Sequence, residues 1–436
     1  MKLSQPLVKW LTPGIGVKRW VLTLLAGVFV IAVSFAAALL KLGWDQALRD
    51  SLPLAGWLEI TAGAAAGLIL VMLAMYKLSR TILAPYRALQ QGPIIDLMYT
   101  HSKLRKGVTV VAIGGGTGMP SVLRGIKSFT SNITAVVTVA DDGGSSGRLR
   151  QEYGVLPPGD LRNNIAALAD DESLMTRLFQ YRFSGENDLG GHAFGNLFIG
   201  ALSGVTGSLE TALVETERVL NIQGRVLPAT LQDVTLSALI RLPGSRDLSA
   251  VHGESTISAA GGDIEEITLN PADVEAYAGS VRAILEADLV IIGPGSLYTS
   301  ILPNLLVKGI ADALRATSAY KIYICNVATQ PGETEHYTVA EHVLALERHI
   351  GRGVFQTVLA NNAYPTENAG VNTHYVPPAP ANHEILQRYD VRYTDLVDSE
   401  RPWRHDPQKI ASAIASLSAE ERIGGSVNKP AFAGAM

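Results

Sequence analysis

The strongest constraint in this 436-residue chain is a repeated pairing of a short aliphatic run with a glycine-rich or polar loop. Residues 108–113 run into Gly114-Gly115-Gly116-Thr117-Gly118, and residues 134–140, TAVVTVA, run into DDGGSSGRLR. Residues 288–292 lead to GPGSLYTS, residues 321–327 to the loop of NVATQPGETEHYT, and residues 357–360 begin another such unit, TVLANN. Uninterrupted runs of this kind suit strands buried on both faces. Segments with helical spacing, such as residues 121–128, lie between them. The alternation predicts an α/β fold: a doubly wound, mainly parallel sheet covered by helices. Such sheets bind ligands outside the carboxyl ends of their strands. The loops are therefore expected to converge on one site.

Two uncharged apolar runs precede this pattern, residues 21–40 and 60–76, the second extendable to 57 past Glu59. About 20 such residues cross a bilayer core as helix. The first run is longer than a signal-peptide core and a second follows, so a two-span hairpin is expected rather than a cleaved leader. Gly63 and Gly67 have the small-xxx-small spacing that lets helices approach closely. Lys9, Lys18 and Arg19 precede the hairpin, and Lys77, Arg80, Arg87, Lys103, Arg105 and Lys106 follow it. The positive-inside rule then puts both ends in the cytoplasm, with a multi-pass membrane location and a cytoplasmic soluble domain. Trp20, Trp44 and Trp57 fall at interfacial positions. The expected organisation is a hairpin over 1–80, a basic linker over 81–106 that could rest on anionic headgroups, a soluble domain over 107–420, and a disordered tail over 421–436.

The formal net charge of −4 gives no global attraction to nucleic acid. Cys325, the one cysteine, rules out an internal disulfide and a cysteine zinc site. It sits in an apolar run and reads as a buried small hydrophobe.

The loops carry the chemistry. Gly114, Gly115, Gly116, Thr117 and Gly118 open a helix and can bring a phosphate to the backbone and to free N–H groups. The motif is neither a dinucleotide fingerprint, which would need glycine at Met119, nor a P-loop. Asp141 and Asp142 end the second strand, where an acid holds ribose in dinucleotide folds. They also read as a magnesium pair or as an Asx turn. Ser145 and Ser146, among Gly143, Gly144 and Gly147, form a second anion nest beside Arg148 and Arg150. Asp160 reads as an N-cap, with Asn163 and Asn164 in the first helical turn within reach of a base or sugar. His192 and Asn196 share a helix face at i, i+4 and are either structural or phosphate- and sugar-binding. Gly293, Gly295, Ser296, Tyr298 and Thr299, with Ser300, read as a third nest. The sequence around Ser296 lacks the nucleophile-elbow pattern. Glu333, Glu335 and His336 fall near the same edge, or in a solvated loop.

Taken together, AIGGGTGMPSVLRGIK, TAVVTVADDGGSSGRLR, LPPGDLRNNIAALAD, LFQYRF, GGHAFGNLFIGAL, GRVLPATLQDVTL, ADLVIIGPGSLYTSILPNLLV and CNVATQPGETEHYT resemble the gluconeogenesis factor (YvcK-like) family in order and spacing, from about residue 107 to 349 and more loosely to about 418. That family is similar in fold to the phospholactate transferases of deazaflavin cofactor synthesis (CofD-like), which use a guanosine nucleotide donor. The resemblance implies a Rossmann-like domain that binds UDP-sugars, chiefly UDP-N-acetylglucosamine. It also implies a role in cell shape and cell-wall synthesis during growth on gluconeogenic carbon, with wall-synthesis proteins as partners. Most members lack a membrane hairpin, so tethering is expected to set this chain apart, and Met119 stands where the family often has leucine or serine.

Two readings follow. One is a non-catalytic UDP-sugar sensor needing no cofactor, self-associating or not, in which Arg404 closes over the diphosphate or is only a surface charge. The other is a transferase in which Asp141, Asp142 and magnesium position a phosphoryl donor and the glycine-loop amides stabilise charge. No residue pattern marks an activated nucleophile. On either reading Asp142 touches the ligand, and Asp142→Asn should weaken nucleotide binding more than tenfold, about 1.4 kcal/mol.

Overall fold

A computed structural model describes residues 17–42, 56–87, 103–169, 173–185, 188–365 and 373–424. The chain forms two compact units, Met1–Tyr99 and Thr100–Met436.

In the first unit, helices α1 (Val17–Lys41) and α2 (Trp57–Arg87) lie side by side. Their segments Arg19–Lys41 and Trp57–Arg80 are long and apolar enough to cross a membrane. Small residues set the crossing. A Cβ on Gly67 would lie 2.9 Å from the Gly27 carbonyl oxygen, and one on Gly63 would lie 2.7 Å from Ser34 Oγ. The outward faces carry exposed Leu25, Phe29, Leu68 and Met72, which suits lipid better than water. Cations sit over tryptophan rings near the ends, Lys77 over Trp20 at 5.9 Å and Lys41 over Trp57 at 5.5 Å. Helix α2 runs on to Arg87, so residues 81–87 of the expected linker are helical. Trp44 and residues 88–102 lie outside the described residues.

The second unit is built on a seven-stranded, wholly parallel sheet of β1 (Val110–Gly114), β2 (Ile133–Val137), β3 (Arg225–Pro228), β7 (Leu289–Ile292), β8 (Tyr320–Ile324), β9 (Thr357–Asn361) and β10 (Asp390–Thr394). The order is β10-β9-β8-β7-β1-β2-β3. Strands β1, β2, β7 and β9 are buried at every position, as their aliphatic runs require. The chain winds from β1 toward β3, then returns to β7 on the other side of β1. Val110 pairs with both Ile133 and Leu289. The order therefore reverses between β1 and β7, which creates a crevice at their carboxyl ends.

Helices α3 (Met119–Ile126), α4 (Gly144–Tyr153), α5 (Gly159–Leu168), α6 (Leu174–Gln180), α7 (Phe194–Thr206) and α8 (Leu209–Leu220) fill the first half of the unit. Between β3 and β7 the chain makes an excursion that the aliphatic pattern did not announce. This is a three-stranded antiparallel sheet in the order β5-β4-β6, from β4 (Thr235–Arg241), β5 (Leu248–His252) and β6 (Asp263–Asn270), with α9 (Glu254–Ala260) between β5 and β6. The remaining helices are α10 (Ala278–Leu285), α11 (Leu302–Leu305), α12 (Lys308–Ala316), α13 (Val339–Ile350), α14 (Ile385–Arg388) and α15 (Pro407–Gly424). Helix α15 packs on α3 and carries residues 421–424 of the expected tail; residues 425–436 lie outside the described residues.

Candidate functional site

Because every main-sheet strand is parallel, the loops after β1, β2, β7, β8 and β10 emerge on one edge. The glycine loops after β1 and β7 meet at the switch point, backbone against backbone. A Cβ on Gly118 would lie 2.7 Å from the Pro294 carbonyl oxygen and 2.9 Å from Gly295 N. A Cβ on Gly295 would lie 3.1 Å from the Gly115 oxygen. Gly116 adopts φ +62, a left-handed conformation that favours glycine, with Ser300 Oγ against it. Asn304 Nδ2 donates to the Gly114 carbonyl at 3.0 Å and fixes the end of β1.

These loops floor a cavity of ≈ 280 Å³. Thr117, Gly118, Pro294, Gly295 and Ser296 line it, together with Asn326 to Gln330 from the loop after β8 and Trp403, Arg404 and His405 from the loop after β10. Helix α3 begins here at Gly118 without a side-chain cap, so its N-terminus offers uncapped N–H groups and positive dipole. Asn326 holds the Gly295 backbone at both ends. Gln330 Nε2 donates to Ser296 Oγ, while its Oε1 is buried without a partner among the described residues. His405 is buried, and burial pushes it down to about 4, so it is neutral. Its Nε2–H donates to the Cys325 carbonyl at 3.1 Å, which ties the β10 loop to β8.

On the other side of the glycine loop lies an acidic cluster. The sequence suggests Asp160 as the N-cap of α5, but Pro158 holds that position and Asp160 lies in the first turn. Instead the Asp160 carboxylate accepts the Gly116 N–H, and burial pushes it up to about 6. Asp141 Oδ1 accepts the Gly143 N–H at 2.9 Å, an Asx turn. Glu254, from the antiparallel excursion, hydrogen-bonds Asp141. Burial and the charges of Asp141 and Asp160 push Glu254 well above the usual carboxylate range, so it is protonated at neutral pH and donates to Asp141. Asp142 is placed differently from the expectation. Its two carboxylate oxygens accept the N–H groups of Glu254 and Ser255 at 3.0 and 2.9 Å, capping α9. The two aspartates thus turn to different backbone partners, Asp141 to its own turn and Asp142 to the start of α9. Among the described residues no three His, Cys, Asp or Glu side chains are grouped to hold a metal ion.

Ser145, His192 and Asn196 do come together, although α7 begins only at Phe194 and His192 precedes it. Asn196 Nδ2 donates to Ser145 Oγ at 3.0 Å, and Ser145 Oγ meets His192 Nδ1 at 3.0 Å. All three are buried, and burial holds His192 below its usual value. Ser146 packs with Asp141 against Gly159. Asn164 is fully buried, with Nδ2 on the Asp160 carbonyl, and Asn163 Oδ1 accepts from Arg162. Tyr298 and Thr299 are framework rather than lining. A π-helical turn over Leu297–Ile301 turns them inward, where Tyr298 meets Tyr337 at 2.7 Å and Thr299 donates to Glu333 at 2.9 Å. Glu333 is itself buried, not solvated; Glu335 and His336 are exposed. Sequence reading did not single out Glu254, Asn326, Gln330, Trp403 or His405 as site residues. The middle pair and the last pair fall inside stretches whose loop character was plain, but Glu254 carries no local signal.

The model of 2-phospho-L-lactate transferase CofD matches residues 110–402. A putative gluconeogenesis factor from Nostoc is 44% identical over 428 residues, covering 93% of this chain and 91% of the relative. The chain belongs to the CofD family, among the gluconeogenesis factors. The Bacillus subtilis gluconeogenesis factor is 45% identical and matches 98% of its own length on 71% of this chain. A crystal structure from Bacillus halodurans superposes with TM-score 0.67 at 40% identity, again covering 71% of this chain and 99% of the other. Those two relatives are matched almost end to end by 71% of this chain. The Nostoc match covers more of this chain than either of those does.

Proposed function

We propose that this gluconeogenesis factor binds a uridine diphosphate sugar, with UDP-N-acetylglucosamine as the leading ligand, and acts as a regulatory protein in cell-wall synthesis and cell shape. The observation that carries the reading is the switch-point cavity. Backbone from two glycine loops, the uncapped start of α3 and the Arg404 guanidinium face the same space, an arrangement suited to a diphosphate. The unpartnered Gln330 Oε1 supplies an acceptor for an N–H of a base or acetamido group. The two apolar helices would hold the site at the cell membrane with the CofD domain in the cytoplasm, near wall-synthesis proteins. Calorimetric titration of the full chain in nanodiscs with UDP-N-acetylglucosamine, UDP-glucose, GDP and NAD tests it. Micromolar binding of intact UDP-sugar with no response to NAD is the expected result; no UDP-sugar binding overturns it.

A transferase reading has one observation in its favour beyond the family model. Asp160, poised near 6 beside Gly116, is a carboxylate able to exchange a proton at neutral pH. Breakdown of the bound nucleotide over time, lost in Asp160→Asn, would put that reading first.

A further inference from the structure

The switch-point cavity has two unlike ends. At one, the glycine loops and the uncapped start of α3 offer backbone N–H groups. At the other, the lining comes from residues 326–330 of the loop after β8 and from Trp403 in the loop after β10. Most polar side chains at this second end are already engaged. Asn326 gives both ends of its carboxamide to Gly295. Thr329 Oγ1 accepts the His374 N–H at 3.0 Å. Gln330 Nε2 donates to Ser296 Oγ, which orients the carboxamide. Among the described residues lining this cavity, Gln330 Oε1 is then the one buried side-chain atom without a partner. A buried acceptor of this kind is costly unless a ligand brings a donor to it. Beside it, Val327 and Ala328 add apolar lining and Trp403 an aromatic one. Trp403 is 45% exposed although its loop is tied down on both sides. The Asp398 N–H donates to the Arg404 carbonyl at 3.0 Å, and His405 reaches the Cys325 carbonyl. A half-open tryptophan on a tethered loop is a platform for a flat ring.

We propose that this second end seats the base of the nucleotide, stacked on Trp403 and donating a ring N–H to Gln330 Oε1, so that the ligand is a nucleotide whose base carries that donor, as uracil does at N3. The inference rests on the UDP-sugar reading and sets the polarity of the ligand in the crevice. A pyranose suits this end poorly, because its several hydroxyls ask for several partners where the described side chains leave one acceptor. A flat ring with one N–H matches both the acceptor and the aromatic face. The sugar instead lies past the diphosphate, on the side of Asp141 and Asp160, where carboxylate oxygens suit hydroxyl donors. The acetamido N–H of UDP-N-acetylglucosamine is then not the partner of Gln330.

The test titrates the full chain in nanodiscs with UDP-glucose, UDP-N-acetylglucosamine and UDP, each beside its N3-methyluridine analogue. The methyl group removes the donor and takes its place. The expected result is a loss of affinity of about tenfold or more on methylation in all three pairs, including UDP, which has no sugar. Gln330→Met, similar in length but without the acceptor, should weaken the unmodified compounds by about tenfold or more and shrink the methylation penalty to less than about threefold. A structural role for Gln330 would instead weaken methylated and unmodified compounds alike and leave the penalty intact, which overturns the proposal. Trp403→Ala should weaken all the compounds by about tenfold or more, and Trp403→Phe should keep most of the affinity. Matched melting temperatures of the variants show that folding is not the cause. Unchanged affinity in Trp403→Ala overturns the proposal, as does equal affinity within each methylated and unmodified pair. A Gln330→Met loss confined to UDP-N-acetylglucosamine assigns the acceptor to the acetamido group and also overturns it. Failure of every unmodified compound to bind removes the UDP-sugar reading and this proposal together, whereas UDP-sugar binding without a methylation penalty removes only this one.

Discussion

Asn326 grips Gly295 by both polar ends of its carboxamide: Oδ1 accepts the Gly295 N–H at 3.1 Å, and Nδ2 donates to the Gly295 carbonyl at 2.8 Å. One side chain at the end of β8 thereby sets the backbone of the loop after β7, which floors the cavity. Asn326→Ala leaves that N–H and that carbonyl unsatisfied in a half-buried place, at a cost of about 1–3 kcal/mol. The expected outcome is a lower denaturant midpoint and a UDP-sugar affinity reduced at least tenfold in the folded protein. Asn326→Asp keeps the acceptor but loses the donor and brings a negative charge to the diphosphate site. Its affinity should fall further than its stability, which titration and urea melts on the same samples would separate.

Gly118 tests the contact between the two glycine loops. Its own φ of −79 is ordinary, so the residue is required by space and not by conformation. The methyl of Gly118→Ala would press on the Pro294 carbonyl and Gly295 N, both backbone atoms that cannot swing aside. The loops must part, which we expect to cost about 1–3 kcal/mol by the general cost of overpacking and to abolish measurable nucleotide binding. Gly144→Ala is the control for glycine loss without crowding, since nothing lies near its added Cβ. There the strain of φ +49 alone should cost stability without disturbing the switch-point cavity. Full affinity in Gly118→Ala would show that the loops are not held together as described.

The acidic cluster gives a pH signature. Glu254 has a folded-state value well above its unfolded one, because burial and Asp141 and Asp160 disfavour its charge. The native state therefore holds a proton that the unfolded state releases above about 4.5. The stabilisation this gives is fully present below that pH and is lost progressively as pH rises toward the folded-state value. Glu254→Gln keeps a donor toward Asp141 and removes the titration. Melting temperatures should coincide near pH 4.5, and the variant should gain steadily on the wild type up to about pH 9. A constant difference across that range would mean that Glu254 is not protonated in the fold.

How much of this was readable beforehand depended on where each feature sits. The inner strands were plain because burial on both faces demands unbroken aliphatic runs. Strands β3 and β10 escaped because they are the sheet edges, where RVLP and DVRYT mix exposed polar residues with apolar ones. The antiparallel β4–β6 sheet alternates exposed and buried positions, a period-two pattern unlike that of the inner strands. The glycine loops announced the site, but their local sequence does not say which side chains face the ligand. Tyr298 and Thr299 turn inward on a π turn, and Glu254 reaches Asp141 across 112 residues of intervening sequence, where no motif could signal it.

Asp142 is the residue whose role the fold changes most. Read as a ligand, it should control affinity. In the structure its two oxygens are bound to the Glu254 and Ser255 N–H groups at the start of α9. An anionic acceptor there satisfies two orphan donors and complements the helix dipole. Asp142→Asn retains one acceptor oxygen and loses the charge, so it should cost about 0.5–1 kcal/mol of stability. Asp142→Ala loses both bonds and should cost about 1–2 kcal/mol by the usual scale of cap removal. Since α9 also positions Glu254, both variants should weaken the Glu254–Asp141 hydrogen bond and flatten the pH dependence described for Glu254. UDP-sugar affinity of the folded fraction should change less than threefold, against the tenfold or greater loss expected of a ligand-contacting carboxylate. A tenfold loss in Asp142→Asn at unchanged melting temperature would restore Asp142 to the binding site and refute the capping role.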